Sequence, residues 1–295
     1  MRAFLAEYTV CNEPDLAAEG NAMLSVLRRS FLRCGYEVVS PEGEQFEQEI
    51  RKLAPGCDLG LVIAPDYLLS RYTYLLEQLT HNIGCGSMNI AVCANKRRTA
   101  SILSAHGISV PEEVKSGSRV IKPLMGCAAQ HVRLSDDDPQ DGEIGQRHIE
   151  GDHLSVSLVG SRVTGNACEY YSGKPPLPLA INRQYIAIDD DGAFHYLGGE
   201  TPVEHPRQDE IIAVATEAMN VLGCQGYAGI DLIVADRIYV VDVNPRPTTS
   251  LVGIAACMEE EIADILVKAS YGAGPETVHL SGRVRFDKDG RVRAI

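Results

Sequence analysis

The sequence predicts an α/β unit followed by an α+β unit. Three observations carry this. Over roughly the first 92 residues short apolar runs alternate with helical stretches, as in a parallel sheet covered on both faces. From Val110 to Val156 the chain changes to short strands separated by polar loops, the habit of antiparallel sheets. The length of 295 residues, with 45% apolar side chains, is enough for about two domains on length alone and for real cores.

Taken in order, RAFLAEYTV reads as a strand, and a helix is expected from about Asp15 to Arg33, closed by Gly35. A short strand YEVV, a buried strand CDLGLVIA from Cys57, a helix around Tyr67 to Leu79 and a strand MNIAVC ending at Cys93 complete a domain at 1–92. A helix starting near Asn95 turns Ala100, Leu103 and Ala105 toward a core and ends at Gly107. The antiparallel stretch that follows defines a smaller unit at 93–156. The third unit, 157–295, holds a strand at QYIAID and a helix from Asp209 to Leu222 with apolar residues at helical spacing, capped by Gly223. The strands YAGIDLIV and IYVVDVN then pair around Asp236 and Arg237, and a helix near Glu259 to Ala269 precedes the hairpin HLSGRVRFDKDGRVRAI.

A formal charge of −13 argues against nucleic acid or an anionic membrane as partner, because both call for a basic patch. Small molecules and proteins remain. The nine cysteines stand apart with no C-x-x-C pair, which points to reduced thiols in a cytoplasmic chain rather than to zinc. The opening MRAFLAEYTV reads as a strand rather than a signal peptide, and no apolar run approaches the roughly 18 residues of a membrane span.

The chemistry concentrates in VVDVNPRPTTS. A tight hairpin sets Asp231 opposite Asp242, and like charges at that distance need a cation between them unless both face solvent. Asn244, two residues on, projects from the same face, so the three side chains form an all-oxygen set suited to magnesium. The alternative is an exposed hairpin followed by an ordinary Asn-Pro turn. Arg246, held extended between Pro245 and Pro247, offers a planar fork to a phosphate or carboxylate. Thr248, Thr249 and Ser250 read either as an anion site or as a helix N-cap. Upstream, a β-branched strand delivers Lys122 to a loop of small residues, Gly126 and Cys127 among them, which suits phosphate oxygens or is simply a turn. Lys96 at a helix start is by itself a solvated side chain, and Glu150, Asp152 and His153 read as a ribose contact or an acidic turn. No G-x-S-x-G or Cys/His nucleophile motif is present.

In this order, from Asn95 to Ala269, these motifs resemble the ATP-grasp superfamily: Asn95-Lys96, Lys122-Pro123 with its small-residue loop, a hinge from Gln146 to His153, then Asp231, Asp242 and Asn244-Pro245-Arg246. The resemblance implies an ATP-grasp fold behind an N-terminal Rossmann-like domain. It implies ATP held by Lys96, Lys122, Gly126, Cys127, Gln146, Ile149, Asp152 and His153, and magnesium, or manganese, on Asp231, Asp242 and Asn244. Arg246 would neutralise the transferring phosphoryl group, Arg183 would sit near the acyl phosphate or be a surface arginine, and Thr248, Thr249 and Ser250 would touch the acid. The sequence departs from the family in a glycine-poor loop, in His153 or Asp152 where a glutamate is usual, and in Asp242 for a more frequent glutamate. Ile181 to Gln184 (INRQ) with NPRPTTS resembles the amide-forming branch that joins the γ-carboxylate of L-glutamate to tyramine. Small-molecule substrates, an amino acid and an amine, follow from that, and a homo-oligomer stays open. A ligase for another amino-acid pair, a small-molecule kinase and a non-catalytic nucleotide sensor are the other readings.

Overall fold

The structure, a computed structural model, describes residues 1–126, 131–161 and 174–295. Its first part runs β1 (Arg2–Glu7), α1 (Thr9–Asn12), α2 (Ala17–Arg33), β2 (Glu37–Val39), α3 (Phe46–Leu53), β3 (Leu59–Ile63), α4 (Asp66–Glu77), β4 (His81–Asn82) and α5 (Ser87–Cys93). These strands form a parallel sheet in the order β2-β1-β3-β4. β1 and β3 are apolar and buried through nearly their whole length, as a sheet covered on both faces requires.

One expected strand is a helix. MNIAVC forms α5, with Ser87, Ile90 and Cys93 buried and Met88 exposed. A short apolar run is consistent with either state, and burial every third residue decides it.

The smaller unit begins with α6 (Lys96–Ala105), whose N-cap Asn95 accepts a hydrogen bond from the Arg98 amide. Its buried face is Lys96, Thr99 and Leu103, with Ala100 half-buried; Ala105 is exposed, contrary to the expected core position. β5 (Arg119–Pro123), β6 (Arg133–Ser135) and β7 (Glu143–Arg147) make a three-stranded antiparallel sheet.

The remaining elements are β8 (Asp152–Gly160), β9 (Leu177–Ile188), β10 (Phe194–Thr201), α7 (Gln208–Val221), β11 (Gly226–Val234), β12 (Ile238–Asn244), α8 (Ser250–Cys257), α9 (Ile262–Ser270), β13 (Val284–Asp287) and β14 (Val292–Ala294). They build a seven-stranded antiparallel sheet in the order β12-β11-β8-β9-β10-β13-β14. β8 runs across residue 156, where the sequence places a boundary, and belongs wholly to this sheet. Helix α7 packs on one face, while α8 and α9 cover the other and meet α2 of the N-terminal domain. The seven described cysteines are free thiols, and five of them are buried.

Gly226 pins the sheet to the N-terminal domain. Its backbone is left-handed (φ +63°), and a Cβ there would stand 2.8 Å from the backbone of Gly84. Gly226→Ala is expected to cost at least about 1–2 kcal/mol from the backbone conformation alone, with the collision added. Thermal unfolding checks this; an unchanged midpoint would show that the junction yields freely.

Candidate active site

The hairpin of β11 and β12 places Asp231 directly opposite Asp242, as the sequence predicts, but by another route. The loop is three residues, Ala235 to Arg237, closed by the Ala235 amide on the Arg237 carbonyl at 2.8 Å. That extra residue alone would shift the register. A bulge at Val241 restores it, since Leu232 pairs with Val240 while Asp231 pairs with Asp242. The bulge also frees the Val241 carbonyl, which accepts from Lys122 Nζ at 2.7 Å.

Around this pair the charges are closely balanced. Lys96 Nζ donates to both Asp242 oxygens at 2.9 Å and to the Gly126 carbonyl at 3.1 Å. Asp231 accepts from Gln184 at 2.9 Å and from Asn244 Nδ2 at 3.1 Å. Burial, then the facing charge of Asp242, push the Asp231 carboxyl up to about 7. Burial acts on Asp242 in the same direction, but Lys96 and Lys122 outweigh it and hold that carboxyl below its usual range. The Lys122 ammonium is buried, which brings it down to about 8 despite Asp242. Burial likewise opposes the charge on Lys96, yet Asp242 and Asp66 raise it.

Asp66, the first residue of α4, reaches this centre from the N-terminal domain. It is buried, 3.9 Å from Lys96 and 3.6 Å from Arg246. Arg246 also lies 3.5 Å from the Asn244 side-chain oxygen. The chain turns at Pro245, where the Arg246 amide donates to the Asn244 carbonyl at 2.8 Å.

One cavity joins these groups, opening between the three-stranded and seven-stranded sheets. At one end Val120, Ile149, Ile186, Phe194 and Ile233 form apolar walls from both sheets, with His153 among them. Burial lowers the His153 imidazole, favouring its neutral form. Gln146, 4% exposed, donates to the Pro111 carbonyl at 3.0 Å, while its buried Oε1 has no partner among the described residues. Thr248, Thr249, Ser250, Tyr196 and Glu19 also line the cavity, Tyr196 pairing with Ile186 across β9 and β10. Thr249 occupies the N-cap position of α8 without a side-chain cap bond; its hydroxyl donates to Glu19 instead.

Thus Lys96, Lys122, Gly126, Gln146, Ile149, His153, Asp231, Asp242, Asn244, Arg246, Thr248, Thr249 and Ser250 share this cavity. Two expected members do not. Arg183 and Asp152 pair with each other at 3.2 Å, and Asp152 also lies 3.5 Å from His205. The reason is strand alternation: Gln184 faces the cavity, so its neighbour Arg183 cannot. Cys127 lies outside the described residues. The sequence reading missed Glu19, Asp66, Gln184 and Tyr196. Only Gln184 carried a signal, being one step along the strand from Arg183; Asp66 follows a buried parallel strand, where ligands gather in such sheets.

The oxygen set fits a hard cation in part. Asp231 faces Asp242 across the hairpin and accepts from Asn244 Nδ2, yet among the described residues no three His, Cys, Asp or Glu side chains form a metal cage. Two carboxylates and an amide suit a divalent ion that completes its shell with phosphate and water.

The ATP-grasp domain family matches residues 93–250. The chain belongs to the ATP-grasp family. Its fold is the expected α/β and α+β ATP-grasp arrangement, and an ATP-grasp superfamily protein from Archaeoglobus fulgidus superposes with a TM-score of 0.77 at 25% identity, over 97% of this chain and 92% of that one. Family membership implies use of ATP. Curated relatives include a tyramine–L-glutamate ligase from Methanocaldococcus fervens, 34% identical over 215 residues, and one from Methanocaldococcus jannaschii, 30% identical over 240. The matches cover 72% and 79% of this chain, and 65% and 70% of the relatives' own lengths. Among the described residues no helix is long and apolar enough to cross a membrane.

Proposed function

We propose that this protein is an ATP-dependent carboxylate–amine ligase that joins the γ-carboxylate of L-glutamate to tyramine, releasing ADP and phosphate. The observation that carries this reading is the single cavity in which Asp231, Asp242 and Asn244 face Lys96, Lys122 and Arg246. The names of the two relatives supply the substrates.

A carboxylate and an amine do not condense in water, because hydroxide is a poor leaving group. In the proposed reaction a glutamate γ-carboxylate oxygen attacks the γ-phosphorus of ATP, the bond to the bridging oxygen breaks, and ADP leaves. The amine nitrogen of tyramine then attacks the acyl carbon, the C–O bond to phosphate breaks, and the nitrogen loses a proton. Chemistry of this kind needs position and charge rather than a protein nucleophile. The apolar walls around Ile149, Ile186 and Phe194 would take the adenine, with the unpartnered Gln146 Oε1 as an acceptor for its amino group. Lys96 and Lys122 would leave their present carboxylate and carbonyl partners for phosphate oxygens. Arg246 would offset charge on the transferring group, and Thr248, Thr249 and Ser250 would contact the acid. Magnesium, or manganese in its place, would be held by Asp231, Asp242 and Asn244 and would offset the charge of the phosphates.

ADP formation is expected to need glutamate and to continue to completion only with tyramine present. A stable phosphorylated product formed at full rate without any amine would make the protein a small-molecule kinase instead. Arg183, paired with Asp152 at the surface, is expected to be dispensable: Arg183→Ala should leave kcat/KM within about fivefold, the scale of an exposed ion pair. A loss of a hundredfold in steady-state assays would return it to the reacting centre.

A further inference from the structure

Glu19 stands out among the acids around the cavity. Glu7 accepts from the Thr9 hydroxyl and the Val10 amide, Asp66 lies within ion-pair distance of Lys96 and Arg246, Asp242 binds Lys96, and Asp231 accepts from two amides. Glu19, half-buried on α2, lines the cavity and receives the Thr249 hydroxyl. Arg246 and Lys288 lie near enough to favour its charge, but among the described residues no lysine, arginine or histidine makes an ion pair with it. Tyr196 lies beside Glu19 and Thr249 and lines the same part. The cavity is therefore bipolar. One part of its lining gathers Lys96, Lys122 and Arg246, where anionic groups belong, and the part around Glu19 offers one carboxylate and a set of hydroxyls.

We infer that Glu19, with Thr249 and Tyr196, forms a subsite for a protonated primary amine of the substrates. Such a group brings three donors and one positive charge, and this part of the cavity supplies oxygen acceptors and a carboxylate that makes no ion pair among the described residues. A carboxylate held in a partly closed cavity gains most from a cation, because few waters remain to solvate it. The inference rests on the proposed ligase reading. Two substrate groups share this chemistry, the α-ammonium of the amino acid and the ammonium of the amine.

The test replaces Glu19 by glutamine, which keeps an oxygen for the Thr249 hydroxyl and removes the charge. Calorimetry in the presence of ADP compares L-glutamate with glutarate, which lacks the α-ammonium, and tyramine with 4-ethylphenol, which lacks the amine. The wild-type protein is expected to bind one ammonium ligand about 10- to 100-fold more tightly than its amine-free partner. In Glu19→Gln that gap closes while ATP affinity stays unchanged. Closure in the glutamate pair assigns the subsite to the amino acid; closure in the tyramine pair assigns it to the amine. A gap that persists in Glu19→Gln, or no gap in the wild type, overturns the inference. If the wild type makes no amide but the gap is present and closes, the ligase reading falls and the subsite stands. If Glu19→Gln forms amide with unchanged KM for both substrates, the subsite falls and the ligase reading stands. Should Glu19→Gln fail to fold, Glu19→Asp, with the charge withdrawn by one methylene, is read in the same way and is expected to narrow the gap.

Discussion

Arg246→Ala should slow amide formation by about 10³- to 10⁵-fold, the range over which an arginine aimed at a transferring phosphoryl group acts. Three features support so large an effect. Its guanidinium lines the cavity, it lies 3.6 Å from the buried Asp66 and 3.5 Å from the Asn244 side-chain oxygen, and the turn at Pro245 fixes where its fork begins. Lysine would not substitute, because a point charge on a flexible stem lacks the paired donors; Arg246→Lys should recover little of the loss. Removing the arginine also takes one of two cations from Asp66, so the variant should melt lower than the wild type. Lys96 remains 3.9 Å from that carboxylate and limits the cost. Single-turnover measurements separate the effects: ATP should still bind while phosphoryl transfer slows. Transfer within tenfold of the wild type would remove Arg246 from the reacting centre.

Asp242→Asn is expected to lower turnover by at least about 10²- to 10³-fold, the scale of losing one preorganised charge contact at a transition state. Asp242 faces Asp231 across the hairpin and binds Lys96 through both oxygens, so its charge serves two neighbours at once. Without that charge Lys96, 8% exposed, keeps Asp66 at 3.9 Å as its ion-pair partner among the described residues, and stability should fall by up to about 3–5 kcal/mol, the cost of breaking a buried ion pair. Circular dichroism at low temperature should still show the native secondary structure. Asn244→Ala should likewise abolish turnover, with a smaller change in melting because it removes no charge. Near-normal rates in either variant would contradict the proposed role of this oxygen set.

The parts of the site that were legible in the sequence are those spelled out over a few residues. Asp231, Asp242, Asn244 and Arg246 lie on one hairpin and the turn after it, and the two-residue repeat of a strand sets which of them face together. Even there the register was reached through a cancellation, because the longer loop and the bulge at Val241 offset each other. Lys96 and Lys122 were visible because Lys96 opens a well-marked helix and Lys122 stands near the end of a well-marked strand. Glu19 and Asp66 were not, since they come from helices of the N-terminal domain, Glu19 to line the cavity and Asp66 to pack against Lys96 and Arg246, and nothing local distinguishes them from surface acids. Arg183 shows the opposite failure. Its neighbour Gln184 carries the contact, and without knowing which face of β9 lies inward the choice between adjacent residues is undetermined. The helix at Ser87–Cys93 was hidden for a similar reason, as six mostly apolar residues satisfy both periods.

The most direct test of the central claim is mass spectrometry of the products formed from ATP, magnesium, L-glutamate and tyramine, with each component omitted in turn and the linkage located by fragmentation. A mass for γ-glutamyltyramine that requires all four components is the predicted result. No amide product, from protein that still binds ATP, would contradict the proposed reaction.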